Sequence, residues 1–156
     1  MVHYRFPARQ NKPPVKLIWY SGLLPLRPEE MEPGQDFVGK KDGILFIGDK
    51  GKMMCGGFGS SPRLIPLTKT REYKKPPKTL PRSKGHYRDW IDACRGGPQA
   101  SASFDFGGRL TEIVLAGTVA MRTGQKLEWD GQQMKATNCP EADQYIRPDY
   151  CNSWKQ

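Results

Sequence analysis

The chain has 156 residues, 37% of them hydrophobic, and carries 25 Lys+Arg against 16 Asp+Glu for a formal net charge of +9. Such a length fits one domain or one and a half, and the 17 Gly and 14 Pro call for many turns and argue against a helical bundle. No stretch approaches the roughly 20 consecutive apolar residues of a membrane span, and residues 1–7 lack a signal-peptide apolar run; neither a membrane protein nor secretion is expected, and the default compartment is cytoplasmic.

The first predicted element alternates, with Val2, Tyr4 and Phe6 on one side and His3 and Arg5 on the other, which is the period of a strand. A polar loop with three prolines leads to a second strand over residues 15–20, with Val15, Leu17 and Trp19 sharing a face, ended by Ser21-Gly22. Strand, loop, strand reads as an antiparallel pair. Residues 23–41 are rich in proline, glycine and acid and read as a surface excursion; Glu29, Glu30 and Glu32 beside prolines read as a solvated loop rather than a carboxylate site.

Residues 43–47 (GILFI) form a short apolar strand, Gly48-Asp49-Lys50-Gly51 a tight turn and residues 52–55 the return strand. Neither Gly48-x-x-Gly51 nor Gly56-Gly57-Phe58-Gly59 precedes a helical pattern, so both read as hairpin and bulge glycines, not phosphate cradles. Residues 63–88 then hold nine Lys/Arg and one acid, Glu72, and so carry +8 of the net +9. Pro62, Pro66, Pro76, Pro77 and Pro81, at the edge of this window and within it, are too dense for a long helix or a central strand, which predicts an extended, exposed basic strap.

Two helices follow. The first runs from about residue 85 to 95, capped by Ser83, with Tyr87, Trp90, Ile91 and Cys94 as its apolar stripe and Gly96-Gly97-Pro98 as its stop. The second runs from about 108 to 123, capped by Asp105 and ended by Gly124. Its expected buried stripe is Leu110, Ile113, Val114, Gly117, Ala120 and Met121, with Gly117 and Ala120 small enough for another element to approach closely. Residues 126–129 and 134–137 read as short strands around an Asp130-Gly131 turn. Asn138 is the expected cap of a last helix starting at Pro140, and the tail aromatic Trp154 is placed to pin the C-terminus. Strands grouped before helices predict an α+β fold: an open, predominantly antiparallel β-sheet with helices packed on one face.

Chemistry-bearing patterns are sparse. Cys55, Cys94, Cys139 and Cys151 form no close ligand pair, and only His3 and His86, 83 residues apart, could join them; buried or idle thiols are the simpler reading and no metal site is expected. No dinucleotide fingerprint, P-loop, nucleophile elbow or zinc-protease motif occurs, so no catalytic residue is assigned.

Several segments in order carry a resemblance: FPARQNKPPVKLIWYSG (6–22), GILFIGDKGKM (43–53), SKGHYRDWIDACRGGP (83–98), ASFDFGGRLTEIVLAGTVAMRTGQKLEWD (102–130) and TNCPEADQYIRPDY (137–150). Together they resemble the C-terminal half of Gfo/Idh/MocA-type oxidoreductases, the glucose–fructose oxidoreductase and inositol dehydrogenase family, and most of all a bacterial subgroup. The resemblance implies that residues 1–156 are a single, partial C-terminal substrate and oligomerisation domain, starting inside that domain, with the NAD- or NADP-binding Rossmann domain absent. The family's glycine fingerprint, its Glu-Lys-Pro lysine and its Asp/His catalytic segment have no counterpart here, so no cofactor is assigned to this chain. The tail departs from the subgroup, with Cys151-Asn152-Ser153-Trp154 where a basic Arg-Lys-Gly-Trp-like ending is usual. A full-length parent could be exported.

On this reading the full enzyme takes a sugar or polyol-like substrate, and this chain contributes to the pocket and forms a homo-oligomer through its sheet face. Trp19, Tyr20, His86, Tyr87 and Arg88 are the candidate substrate-binding residues, since aromatic faces and hydrogen-bonding tips suit a polyhydroxylated ligand. The competing reading makes Trp19 and Tyr87 core and His86 and Arg88 surface. Two other functions are weighed: a stand-alone dimerising interaction module, and nucleic-acid binding through the 63–88 strap with Tyr73 and Tyr87 interleaved. The last is disfavoured because no recognition helix or RNP-like strand accompanies the charge.

Overall fold

The computed structural model describes residues 1–22, 29, 31–33 and 42–147. The tail over 149–154, with its expected Trp154 anchor, and most of the 23–41 excursion lie outside them. The fold is α+β, with every strand pair antiparallel. Among the described residues the pairing is divided among three small sheets of two, three and two strands, because the proline- and glycine-rich connections separate the hairpins along the chain. The chain groups into two compact units, residues 1–23 with 81–156, and residues 24–80.

In the first unit β1 (Val2–Phe6) pairs with β2 (Val15–Trp19), and Tyr4 faces Leu17 across the ladder. This register puts Val2, Tyr4, Phe6, Val15, Leu17 and Trp19 on one face, as the alternation predicts. α2 (His86–Cys94) and α3 (Phe104–Thr123) follow, then the two-residue strands β6 (Trp129–Asp130) and β7 (Lys135–Ala136). A 3₁₀ turn over Pro140–Ala142 leads into α4 (Asp143–Ile146). The core here is Val119, Ala136, Cys139 and Ala142, with Leu127, Trp129 and Ile146 packed against it.

α3 begins earlier than the sequence pattern predicts. Ser103, not Asp105, is its cap, its hydroxyl accepting from the Phe106 N–H, and Gly124 ends it in the left-handed conformation that favours glycine. Gly117 is buried as expected. The Tyr4 hydroxyl of β1 occupies the space where a Cβ on Gly117 would stand, so the hairpin seats on α3 at a notch that only glycine provides. Burial pushes the Tyr4 phenol above its usual pKa, through desolvation.

The expected burial of α3's stripe holds fully for Gly117 and in part for Ile113 and Ala120, and Leu110, Val114 and Met121 are exposed. The reason is geometric: the helix is apolar over a wider arc than the hairpin and the C-terminal elements cover, and the short hairpin covers only the middle of this stripe. Asn138 is also placed differently from expectation. It does not cap the last helix; its side chain accepts from the Glu128 N–H at 2.7 Å and donates to the Lys126 carbonyl at 2.8 Å, bridging the strand segment instead. Residues 126–128 therefore reach this bridge as irregular chain, and the ladder shrinks to two residues a side.

In the second unit β3 (Ile44–Gly48), β4 (Gly51–Cys55) and β5 (Arg63–Ile65) form a meander, closed by the two-residue Asp49-Lys50 turn. Gly56–Ser60 is a loop held by Gly56 N–H to Ser60 carbonyl and Gly59 N–H to Gly56 carbonyl bonds, which agrees with the structural reading of those glycines. The core is Met54, Ile65 and Met31, with Leu45 against them. Met31 belongs to the segment read as a surface excursion, so that segment delivers a core side chain. The basic window is not extended throughout: β5 is an edge strand, and α1 (Leu67–Glu72) follows it, locked by Thr70 Oγ1, which accepts from the Leu64 N–H and donates to the Leu64 carbonyl. Both are short, within what the prolines tolerate. Residues 73–85 are the extended, exposed stretch.

The Gly117 notch makes a stability prediction. Gly117→Ala gains helix propensity of about 1 kcal/mol but must displace Tyr4, a net loss of about 1–3 kcal/mol. Thermal unfolding of Gly117→Ala, Tyr4→Phe and the double variant should show a depressed midpoint for Gly117→Ala that Tyr4→Phe partly restores; additive losses would mean the two residues are not in contact.

Candidate functional site

The five candidate substrate-binding residues fall into two groups in the first unit. Trp19 ends β2 and Tyr20 follows it; His86, Tyr87 and Arg88 form the first turn of α2. Trp19 is 52% and Tyr87 75% exposed, so neither is core in this chain. Among the described residues α2 packs extensively on no other element, and its expected apolar stripe faces outward, with Trp90 58% exposed and Ile91 and Cys94 also exposed. The amphipathic pattern forms the helix, but burial needs a partner surface that the hairpin and α3 do not supply.

The first turn of α2 is held from its N-terminal side. Gly85 is the N-cap at a φ of 108°, which glycine adopts without penalty. Ser83, the expected cap, acts one step earlier, its hydroxyl accepting from the Gly85 N–H at 2.9 Å. Asp89 accepts from the Ser101 hydroxyl at 2.9 Å and the Lys84 N–H at 3.3 Å. The hydroxyls of Ser83 and Ser101, with the Lys84 N–H and charge, hold the Asp89 carboxyl below its usual range. Arg88 Nε sits 3.1 Å from Asp92, and Lys84 3.6 Å from the same carboxylate. The His86 and Tyr87 rings lie 4.0 Å apart, tilted by 44°. What this turn presents outward is therefore an imidazole–phenol pair beside a guanidinium already engaged by Asp92. Such a surface can hydrogen-bond and stack on a polar ligand; no nucleophile–base pair is assembled in it.

A second cluster escaped the sequence reading. Glu112 of α3 accepts from the Trp129 indole N–H at 2.7 Å, its other oxygen lies 3.8 Å from Arg109, and Arg122 lies over the Tyr145 ring at 5.5 Å from its centroid. A Cβ on Gly131 would come within 2.6 Å of the Glu112 carboxylate, so any other residue there would push that carboxylate aside. The available signal was a lone acid, Glu112, in helical step with the apolar Leu115, Ala116 and Val119. Among the described residues no group of three or more His, Cys, Asp or Glu is placed to hold a metal ion. No helix among them is long and apolar enough to cross a membrane.

The thiols differ sharply. Cys139 is 1% exposed, and its S–H donates to Glu141 at 3.3 Å; burial first, and the Glu141 carboxylate next, push its pKa up. Cys55 is buried and Cys94 exposed.

Two measurements check this account. Alkylation by iodoacetamide at pH 8, mapped by mass spectrometry, should modify Cys94 at least about tenfold faster than Cys139; comparable rates would contradict the burial of Cys139. For Asp89, a folded pKa below the unfolded value means that its stabilising contribution is fully present above the ordinary carboxylate pKa of about 4 and is lost as pH falls through the lower folded value. Carboxyl-carbon NMR should therefore show Asp89 titrating below the other aspartates, and Ser101→Ala should move it upward; an unmoved Asp89 would remove the proposed cause.

No family model matches the chain, and no curated protein matches it.

Proposed function

We propose that the chain is the C-terminal portion of an NAD(P)-dependent oxidoreductase of the Gfo/Idh/MocA type, acting on a sugar or polyol-like substrate in the full enzyme. In this role it contributes to the substrate pocket and the subunit interface and is not catalytic by itself. The reading rests on the ordered motifs between residues 6 and 150 that resemble that family. The structural observation that supports it is the apolar surface left uncovered in the first unit. Val15, Leu17 and Trp19 on the hairpin, Tyr87 and Trp90 on α2, and Leu110, Val114 and Met121 on α3 are all exposed. A surface of this kind on both hairpin and helices calls for further protein to cover it. In the proposed enzyme the dinucleotide and the hydride chemistry belong to the Rossmann domain, and the His86–Tyr87 pair with Trp19 and Tyr20 supplies polar tips and aromatic faces to the substrate side. Self-association through the part of the hairpin's apolar face that α3 does not cover, Val15, Leu17 and Trp19, as a homo-oligomer, is part of the same proposal.

A stand-alone dimerising module would use that same face and is separated from the oxidoreductase reading by genetic context. A reading frame encoding a Rossmann domain immediately upstream of the Met1 codon is expected for the enzyme portion; unrelated sequence there favours the module.

Two solution measurements test the proposal. Isothermal titration of the 156-residue chain with NADH and NADPH should give no binding in the micromolar range, and micromolar affinity for either would overturn the division of labour. Light scattering should show an oligomer that Leu17→Glu converts to monomer with its far-ultraviolet circular dichroism retained, since a charge on an apolar interface costs several kcal/mol, about 3 or more. A wild-type chain that stays monomeric at about 100 μM, a concentration that would populate any dimer of roughly micromolar affinity, would count against the sheet-face interface.

A further inference from the structure

A cavity of about 290 Å³ opens along one side of α3, against β6, the turn before β7, and α4. All of its lining belongs to the first unit. It is distinct from the Trp19–Tyr20 and His86–Arg88 groups and uses none of their side chains. Its length follows from the helix: Glu112 and Arg122 mark its two ends, ten residues apart, which is about 15 Å. Between them the lining is mostly apolar, with Leu115, Val119, Trp129 and Ile146 supplying aliphatic and indole surface and Thr118 a hydroxyl.

The polar chemistry at the two ends is unequal. At one end Glu112 is already satisfied, with one oxygen on the Trp129 indole N–H at 2.7 Å and the other facing Arg109 at 3.8 Å. The indole donor is thereby consumed, and Trp129 offers the cavity ring surface rather than a hydrogen bond. At the other end the Arg122 guanidinium lies over the Tyr145 ring. This cation–π contact uses none of the guanidinium's N–H donors, which are left for a planar anion. Among the described residues no acid forms an ion pair with Arg122. The cavity therefore combines an apolar body with one cation prepositioned by an aromatic ring at its mouth. Its volume lies at the lower edge of the range for small-molecule sites, about 300–1,000 Å³, which limits the occupant to a compact molecule.

We propose that this cavity binds a small organic carboxylate with an aromatic or branched aliphatic body. The carboxylate meets the edge of Arg122, and the body lies on Leu115, Val119, Trp129 and Ile146. The two contributions are separable: the apolar wall supplies contact for any ligand of the right shape, whereas Arg122 discriminates the acid from a neutral isostere. The site is independent of the oxidoreductase reading and would stand if that reading fell.

The test is ligand-observed NMR on the full chain with 3-phenylpropionate, and with 3-phenyl-1-propanol as the uncharged counterpart. The acid is expected to saturate at roughly millimolar concentration, and the alcohol to bind about tenfold more weakly, the value of one charge-assisted hydrogen-bonded contact. Arg122→Met keeps the aliphatic stem and should bring the acid down to the alcohol's affinity while leaving the alcohol unchanged. Leu115→Trp, a half-exposed position at the rim, should weaken both ligands, with circular dichroism reporting that each variant is folded. The wild-type comparison of acid and alcohol needs no variant and decides the charge recognition alone. Equal affinity for acid and alcohol, an acid affinity unmoved by Arg122→Met, or no saturation up to about 10 mM would each overturn the proposal.

Discussion

The seat of Tyr4 on Gly117 is the constraint on which the first unit depends. A phenol hydroxyl stands in the volume that any side chain at Gly117 would take, and this joins the β1–β2 hairpin to the middle of α3. The contact fixes which arc of the helix turns inward. Once Gly117 faces the hairpin, Val119 turns toward the C-terminal elements, where Ala136, Cys139 and Ala142 close the small core. Leu110, Val114 and Met121 share that face above and below Gly117 and remain exposed, because the short hairpin covers only its middle. One close approach thus sets both what the unit buries and what it leaves for another surface to cover.

The C-terminal closure is a second, polar, layer of the same construction. β6 and β7 contribute only two residue pairs, too little for an independent ladder, and side chains complete the job. Asn138 bridges Lys126 and Glu128, Thr137 caps the Glu128 carbonyl with its hydroxyl, and Trp129 anchors to Glu112 across the gap to α3. Each of these bonds contributes about 1 kcal/mol, and the part-buried Glu112–Trp129 bond contributes somewhat more because its acceptor is charged. The cavity beside this pair exists because the closure is made by a few long side chains rather than by continuous sheet. The second unit uses the opposite economy, a three-stranded meander whose core rests on Met54, Met31 and Ile65.

Charge and apolar surface are handled separately in the chain. Most of the net charge lies in residues 63–88, which fold as an edge strand, one short helix and an exposed stretch rather than as a single extended element. The exposed apolar side chains of the first unit lie elsewhere, on the hairpin, α2 and α3. Large aromatic and aliphatic groups held outward on ordered elements are the property that a subunit or domain interface requires. It is this property, with the family-like motifs, that the proposed role as the substrate and oligomerisation portion of an oxidoreductase uses.

The sequence by itself determined the element types and much of their order. Period two in residues 2–6 and 15–19, the Asp49-Lys50 turn, the Gly124 stop and the small residue at 117 are local signals, and local backbone preferences suffice to read them. Of the candidate site, the composition of α2's first turn was legible, but its exposure was not. Periodicity announces that a face is apolar and is silent on whether a partner is present to cover it. For the same reason the diversion of Asn138 from capping to bridging and the division of the strands into three sheets were decided only by tertiary structure. Each depends on groups distant in sequence competing for the same hydrogen bond or the same volume. Glu112 shows the limit most plainly: its place beside apolar helix neighbours was visible, but its partner Trp129, 17 residues on, is defined only when the chain folds back.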